Sequence, residues 1–201
     1  MIRLVQRHLE AIYDIEAPDV RDFLLDDEAM ARAAPEVRPG REWVLVRQDG
    51  DGLFMGVYVD PSDIDALEGR TPAEAVHACL GSFAVVTEGV SHFLLLCRRA
   101  TADEEVSLLE LEAQAEVDKY VTARLHVGPD PGLRRRLFRE SRLVTDLGPD
   151  ESERYREAGR LADRYCARLE RCRDVPALLA ELRTFYRLSG HARMDRLRHA
   201  A

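Results

Sequence analysis

Asparagine is absent from this 201-residue sequence, and Lys119 is its single lysine among 29 basic residues. Isoleucine is scarce as well, and arginine stands at almost every other basic position. Such a bias is typical of a GC-rich gene, so the abundance of arginine does not by itself indicate nucleic-acid binding. Lysine differs from arginine chemically, because a compact ammonium group fits places that a planar guanidinium does not. Lys119 therefore draws attention as a candidate site residue.

Long hydrophobic runs are also missing. The longest apolar run, HFLLLC at residues 92–97, is far shorter than the roughly 18 to 20 residues of a membrane span. The first 18 residues carry charges throughout and lack the apolar segment of a secretory signal. None of the four cysteines forms a C-x-x-C pair, which is typical of reduced cysteines in a protein core. We therefore expect a cytoplasmic protein that does not bind a membrane.

Charge is distributed unevenly along the chain. Residues 1–130 carry 12 basic and 26 acidic residues, a net charge of −14, whereas residues 131–201 carry 17 and 11, a net charge of +6. The switch coincides with GPDPG, a sequence that stops helices. We predict an acidic α+β domain at 1–128 and an arginine-rich, all-helical region at 132–201, which either forms its own lobe or packs on the first domain.

The clearest local pattern is a β-hairpin. Two β-rich runs, Trp43–Gln48 and Leu53–Val59, flank DGDG, and Asp-Gly between such runs is typical of a tight turn. The apolar residues at about 90–98 are interpreted as a third strand, because the run is short and follows a glycine. The predicted fold is therefore α+β, with a small three-stranded sheet packed by helices.

Helices are predicted before, between and after these strands in the sequence. Pro72 after Thr71 and before Glu74 forms a capping-box pattern, which predicts a helix over 71–86. Apolar spacing of three and four predicts another over 104–125. Residues 18–34 also have a helical pattern, and the helices expected after residue 132 include one over 133–144.

A candidate metal site combines these elements. Spacing places Glu112, Glu116 and Lys119 on one side of the 104–125 helix, near Glu105. If the third strand packs on this helix, Glu88 and His92 approach those glutamates. Histidine with several carboxylates suits manganese, iron or zinc, with Glu88, His92, Glu112 and Glu116 as ligands and Lys119 as a catalytic charge partner. The alternative is a solvated helix face with one Glu–Lys pair.

The strongest basic patch is a second candidate site, and it consists of Arg134, Arg135, Arg136 and Arg139. These arginines suit an acidic protein partner, an intrachain acid or nucleic-acid phosphates. The overall charge of −8 and the lack of interleaved aromatic residues disfavour nucleic acid.

Three functions remain open from the sequence. No phosphate-loop, dinucleotide or nucleophile-elbow motif is present. The leading interpretation is therefore a non-catalytic cytoplasmic adaptor or regulatory protein that binds a protein partner, either another protein or a second copy of itself. A metal-dependent enzyme is the first alternative, and a nucleic-acid binder through the arginine patch is the second.

Overall fold

A computed structural model describes residues 1–36, 40–49, 52–140 and 148–200. The helices in these ranges are α1 Ile2–Tyr13, α2 Asp27–Ala33, α3 Pro61–Asp65, α4 Pro72–Ala78, α5 Leu80–Thr101, α6 Leu108–Val127, α7 Leu133–Arg135, α8 Pro149–Leu169, α9 Val175–Tyr186 and α10 Gly190–Arg198. The strands are β1 Leu24–Leu25, β2 Glu42–Asp49 and β3 Gly52–Val59. The α+β class, the small three-stranded sheet and the helical C-terminal region are thus confirmed.

The predicted hairpin is confirmed as β2 and β3. These strands pair antiparallel from Glu42 opposite Val59 to Asp49 opposite Gly52. The turn residues at 50–51 lie outside the described residues. The sheet has the order β1-β3-β2, so β2 is an edge strand.

The third strand is Leu24–Leu25, which pairs parallel with Val57 and Tyr58. The prediction of a strand at 90–98 is wrong, because those residues lie inside α5. This helix is buried on almost every side, with 13 buried residues. An apolar run buried all round has no periodicity that separates a helix from a strand, and its predicted boundary at Gly89 is helical.

Two segments that were each predicted as one helix are divided into shorter elements in the structure. The capping box of Thr71 and Glu74 is confirmed, but the helix that it starts ends at Ala78, and Cys79 has an extended φ of −137° before α5 begins. Residues 18–34 form a 3-10 turn at Val20–Phe23, then β1 and α2, because Leu24–Leu25 pairs with β3.

Two helices fall close to their predictions. Helix α6 begins at Leu108, where Ser107 caps it, rather than at 104. The helix predicted over 133–144 is helical through Glu140, including a π-helical turn, and its last residues lie outside the described ranges.

The C-terminal helices pack on the first part of the chain. Helix α8 packs mainly on α6, and α9 packs on α1. Tyr13 of α1 stacks on Tyr186 of α9 with ring centres 4.0 Å apart, and Arg183 donates hydrogen bonds to the carbonyl oxygens of Ala11 and Ile12 at 3.0 and 3.1 Å. Both parts contribute to one hydrophobic core. The division at 128–132 stays a prediction.

Helix α5 is the centre of the fold. It contacts α1, α4, α6 and both strands of the hairpin. Its length and composition would allow it to cross a membrane, but 67% of its most apolar window is buried inside the protein. The core helix of a folded protein meets the same criteria.

Candidate metal centre

The candidate metal centre lies where α5, α6 and the start of β2 meet. Glu88 and His92 are four residues apart on α5, and Glu112 and Glu116 have the same spacing on α6. Residues at this spacing share a helix face, so each helix presents two polar side chains together. The packing of α5 on α6 then brings Glu88, His92 and Glu112 together, and Glu116 is joined to Glu88 through Lys119. The solvated-face interpretation is wrong, since Glu112 and Lys119 are only 6% and 9% exposed.

Three of the predicted ligands have the closest arrangement. Donor atoms of Glu88, His92 and Glu112 all lie within 4.8 Å of one another. His92 Nε2 lies 3.7 Å from Glu112 Oε2, which is too far for a hydrogen bond. Both atoms are buried without a hydrogen-bond partner. Buried polar atoms are nearly always satisfied in proteins, so this pair indicates room for a bridging ion or water.

Glu42 completes the surroundings of His92, and sequence reasoning missed it. His92 Nδ1 lies 3.4 Å from Glu42 Oε1. A proton on Nδ1 therefore faces a carboxylate, and Nε2 is the ring nitrogen directed at Glu112. Gly89 permits the approach of β2, because a Cβ there would lie 3.1 Å from Glu42 Cγ. The signal in the sequence is a glutamate directly before the apolar run at 43–46.

Lys119 holds two carboxylates. Its Nζ lies 2.7 Å from Glu116 Oε1 and 2.8 Å from Glu88 Oε2. Burial opposes the charge, but these two carboxylates raise the pKa of Lys119 above its usual value. The ammonium group is therefore charged at any physiological pH and is not a nucleophile or base. Lys119 therefore acts as a charge partner. The carboxylate of Glu116 forms an ion pair with its ammonium group.

The electrostatics of the cluster leave an excess of negative charge. Burial raises the pKa of Glu112 to about 7 and also raises that of Glu42. Burial lowers the pKa of His92, but Glu42 and Glu112 raise it to about 9. Burial also raises the pKa of Glu88, which Lys119 and His92 then bring below its usual value. Four carboxylates that are at least mostly buried thus face three neighbouring cations, His92, Lys119 and Arg154. Protons or a metal ion would balance the remaining negative charge.

Helix α8 covers the rim of the cluster. Arg154 Nε lies 3.9 Å from Glu112 Oε1, and this nitrogen is buried without a hydrogen-bond partner. Burial raises the pKa of the neighbouring Tyr155, and the charge of Glu112 raises it further. Sequence reasoning missed both residues because they belong to the arginine-rich region. Glu105, which was grouped with the cluster, precedes α6 and is exposed.

The arginine patch has acidic partners within the chain. Arg134 pairs with Asp163 and lies 3.2 Å from Glu170, and Arg136 lies 2.8 Å from Asp130. Arg135 and Arg139 are exposed on the surface. These pairs reduce the charge available to nucleic-acid phosphates, and binding of any partner to the patch stays a prediction.

The donor set of the cluster consists of ligand types that divalent metal ions accept. One imidazole and several carboxylates bind manganese, iron or zinc, and three protein ligands leave positions for water or substrate. Among the described residues, Glu88, His92 and Glu112 are the group whose donors meet at metal-binding distances. The site is described by its geometry alone: no protein-family model, no curated protein and no solved structure matches this chain.

Proposed function

We propose that this protein binds one divalent metal ion through Glu88, His92 and Glu112 and acts as a metal-dependent enzyme. The observation that carries the proposal is the buried, unpartnered pair of His92 Nε2 and Glu112 Oε2, 3.7 Å apart. An ion between these atoms, bonded also to Glu88, would satisfy both of them. It would also balance part of the excess negative charge of the cluster.

The surrounding residues have distinct roles in this proposal. Glu42 accepts a hydrogen bond from Nδ1 of His92 and orients Nε2 toward the ion, as a carboxylate commonly does behind a metal-bound histidine. Three protein ligands leave open coordination positions, which is typical of catalytic rather than structural sites. A bound ion could therefore activate water or polarise a substrate carbonyl or phosphoryl oxygen. Lys119 contributes positive charge and donates no proton.

Metal titration followed by native mass spectrometry and calorimetry tests the proposal. We expect one Mn²⁺ or Zn²⁺ per chain in the wild type. His92→Ala and Glu112→Ala should each weaken binding at least about 100-fold, because loss of a ligand exceeds the effect of losing a supporting residue. Glu116→Ala should keep the ion, since the Glu116 carboxylate pairs with the Lys119 ammonium group and is not one of the three proposed ligands.

His191→Ala is the matched control for His92→Ala. The side chain of His191 is 87% exposed, and its Nε2 lies 3.1 Å from Asp195 Oδ2 on the same helix. The control should bind metal as the wild type does. A wild type that binds no ion, or equal weakening by both histidine variants, would overturn the proposal.

The second candidate function is that of a non-catalytic cytoplasmic adaptor, and the exposed end of the hairpin favours it. Val44 and Val57 face the core as a cross-strand pair. The same face continues outward to Val46 and Leu53, which are 47% and 39% exposed. No described strand pairs with the outer edge of β2. We infer that a second copy of the chain pairs with this edge, since two edge strands offer each other complementary backbone groups.

Val46→Lys tests self-association through β2. A charge on an edge strand blocks strand pairing, so a wild-type dimer should become a monomer in light scattering or native mass spectrometry. Leu4→Lys is the control, because Leu4 is similarly apolar and 53% exposed but lies on α1. A monomeric wild type, or dissociation by the control alone, would contradict the proposed dimer.

A further inference from the structure

We propose that the ammonium group of Lys119 occupies the position of a second metal ion, and that its removal converts a one-ion site into a two-ion site. This inference rests on the proposed metal-binding function. It assigns a second cation position, between Glu88 and Glu116, next to the first. The class of ligand is a divalent cation that prefers oxygen donors, such as Mn²⁺.

The geometry around Lys119 is that of a carboxylate cation site. Two carboxylate oxygens, from Glu88 and Glu116, lie 2.8 and 2.7 Å from one nitrogen. Metal–oxygen bonds of about 2.0–2.6 Å require only a small inward movement of oxygens already gathered around one point. Both side chains are mostly buried, with exposures of 15% and 18%, so their geometry does not depend on exposed, mobile groups.

Glu88 belongs to both cation positions. One of its oxygens meets Lys119, and its carboxylate is also one of the three donors gathered around His92 and Glu112. Adjacent cations in two-metal centres lie about 3.5–4 Å apart, and a carboxylate that reaches both is suited to bridge them. In this chain the first cation would be a metal ion and the second the lysine ammonium.

The charges explain why the second position must hold a cation. Without Lys119, the mostly buried Glu88 and Glu116 would lose the cation that they share, and His92 and Arg41 would be the remaining cations that act on Glu88. A buried carboxylate that loses its partner either takes up a proton or recruits another cation. Arginine would keep the charge, whereas methionine has a similar volume and no charge, so the two substitutions separate charge from packing.

The experiment counts bound Mn²⁺ in Lys119→Met and in the charge-preserving control Lys119→Arg, by native mass spectrometry and by electron paramagnetic resonance. We expect one ion in the wild type and the control. Lys119→Met should bind two ions, with the spectral coupling of neighbouring Mn²⁺ ions. Adding Glu116→Ala to Lys119→Met should remove the second ion and keep the first.

The other outcomes are also decisive. A folded Lys119→Met that binds one ion overturns the inference and leaves the proposed function intact. A wild type that binds none overturns the proposed function and, with it, the inference. If Lys119→Met folds only with Mn²⁺ and holds two ions, the inference is supported. If both Lys119→Met and Lys119→Gln fail to fold with Mn²⁺, it is overturned.

Discussion

Replacing Glu110 by alanine should destabilise the protein by about 3–5 kcal/mol, because two buried guanidinium groups would lose the carboxylate between them. Arg99 donates to Glu110 Oε1 at 2.5 Å, and Arg193 Nη1 lies 3.2 Å from the same oxygen. Glu110 is 2% exposed, Arg99 is 3% exposed and Arg193 is 0% exposed. Burial already lowers the pKa of Arg193. Urea denaturation gives the free energy of unfolding, and its slope shows whether Glu110→Ala exposes as much surface on unfolding as the wild type.

Glu104→Ala is the matched control for Glu110→Ala. Glu104 also pairs with Arg99, but its side chain is 46% exposed. An exposed partner contributes roughly 0–1 kcal/mol, so the control should remain close to the wild type. Equal losses for the two variants would show that water reaches Glu110 and would contradict a buried triad.

The hairpin and the helix starts could be predicted because their signals are local. Asp-Gly between two β-rich runs specifies a turn, and the capping box of Thr71 and Glu74 specifies a helix start through two reciprocal hydrogen bonds. Strand β1 could not be found in the same way. Its two residues form a strand only because β3 lies beside them, and this pairing is tertiary.

The prediction of a strand at 90–98, within α5, fails for a different reason. Its residues face α1, α4, α6 and the sheet on different sides, so no polar stripe marks its surface. The same burial explains the polar residues that it does contain. Glu88, Ser91 and His92 lie in the middle of a largely apolar core helix, and such residues are retained when they have partners or a function.

The candidate site was partly predictable. Spacing of three and four identified the pairs within each helix, and the packing of α5 on α6 brought them together as expected, although the element carrying His92 is a helix rather than a strand. Glu42 and Arg154 could not be assigned, because they reach the cluster from β2 and α8. No local pattern encodes contacts between elements so distant in sequence.

A second buried polar network surrounds Asp118 of α6. Asp118 is 1% exposed and accepts hydrogen bonds from Tyr13, from Ser91 Oγ at 2.6 Å and from Gln114 Nε2 at 2.9 Å. All three donors are neutral groups. Burial raises the pKa of Asp118 to about 6, although these hydrogen bonds partly oppose the rise.

The stability of the wild type should therefore fall, relative to Asp118→Asn, as pH rises. In the unfolded chain the pKa of Asp118 returns to 3.8, so between that pH and about 6 the folded state binds more protons. The contribution of the protonated group is complete below pH 3.8 and is lost as pH rises through 6. The loss amounts to about 3 kcal/mol, at 1.36 kcal/mol for each pKa unit. Urea denaturation from pH 4 to 7 with a metal chelator measures it, and the exposed Asp65→Asn is the control. A wild type that gains stability over Asp118→Asn across this range would show that the three hydrogen bonds outweigh burial.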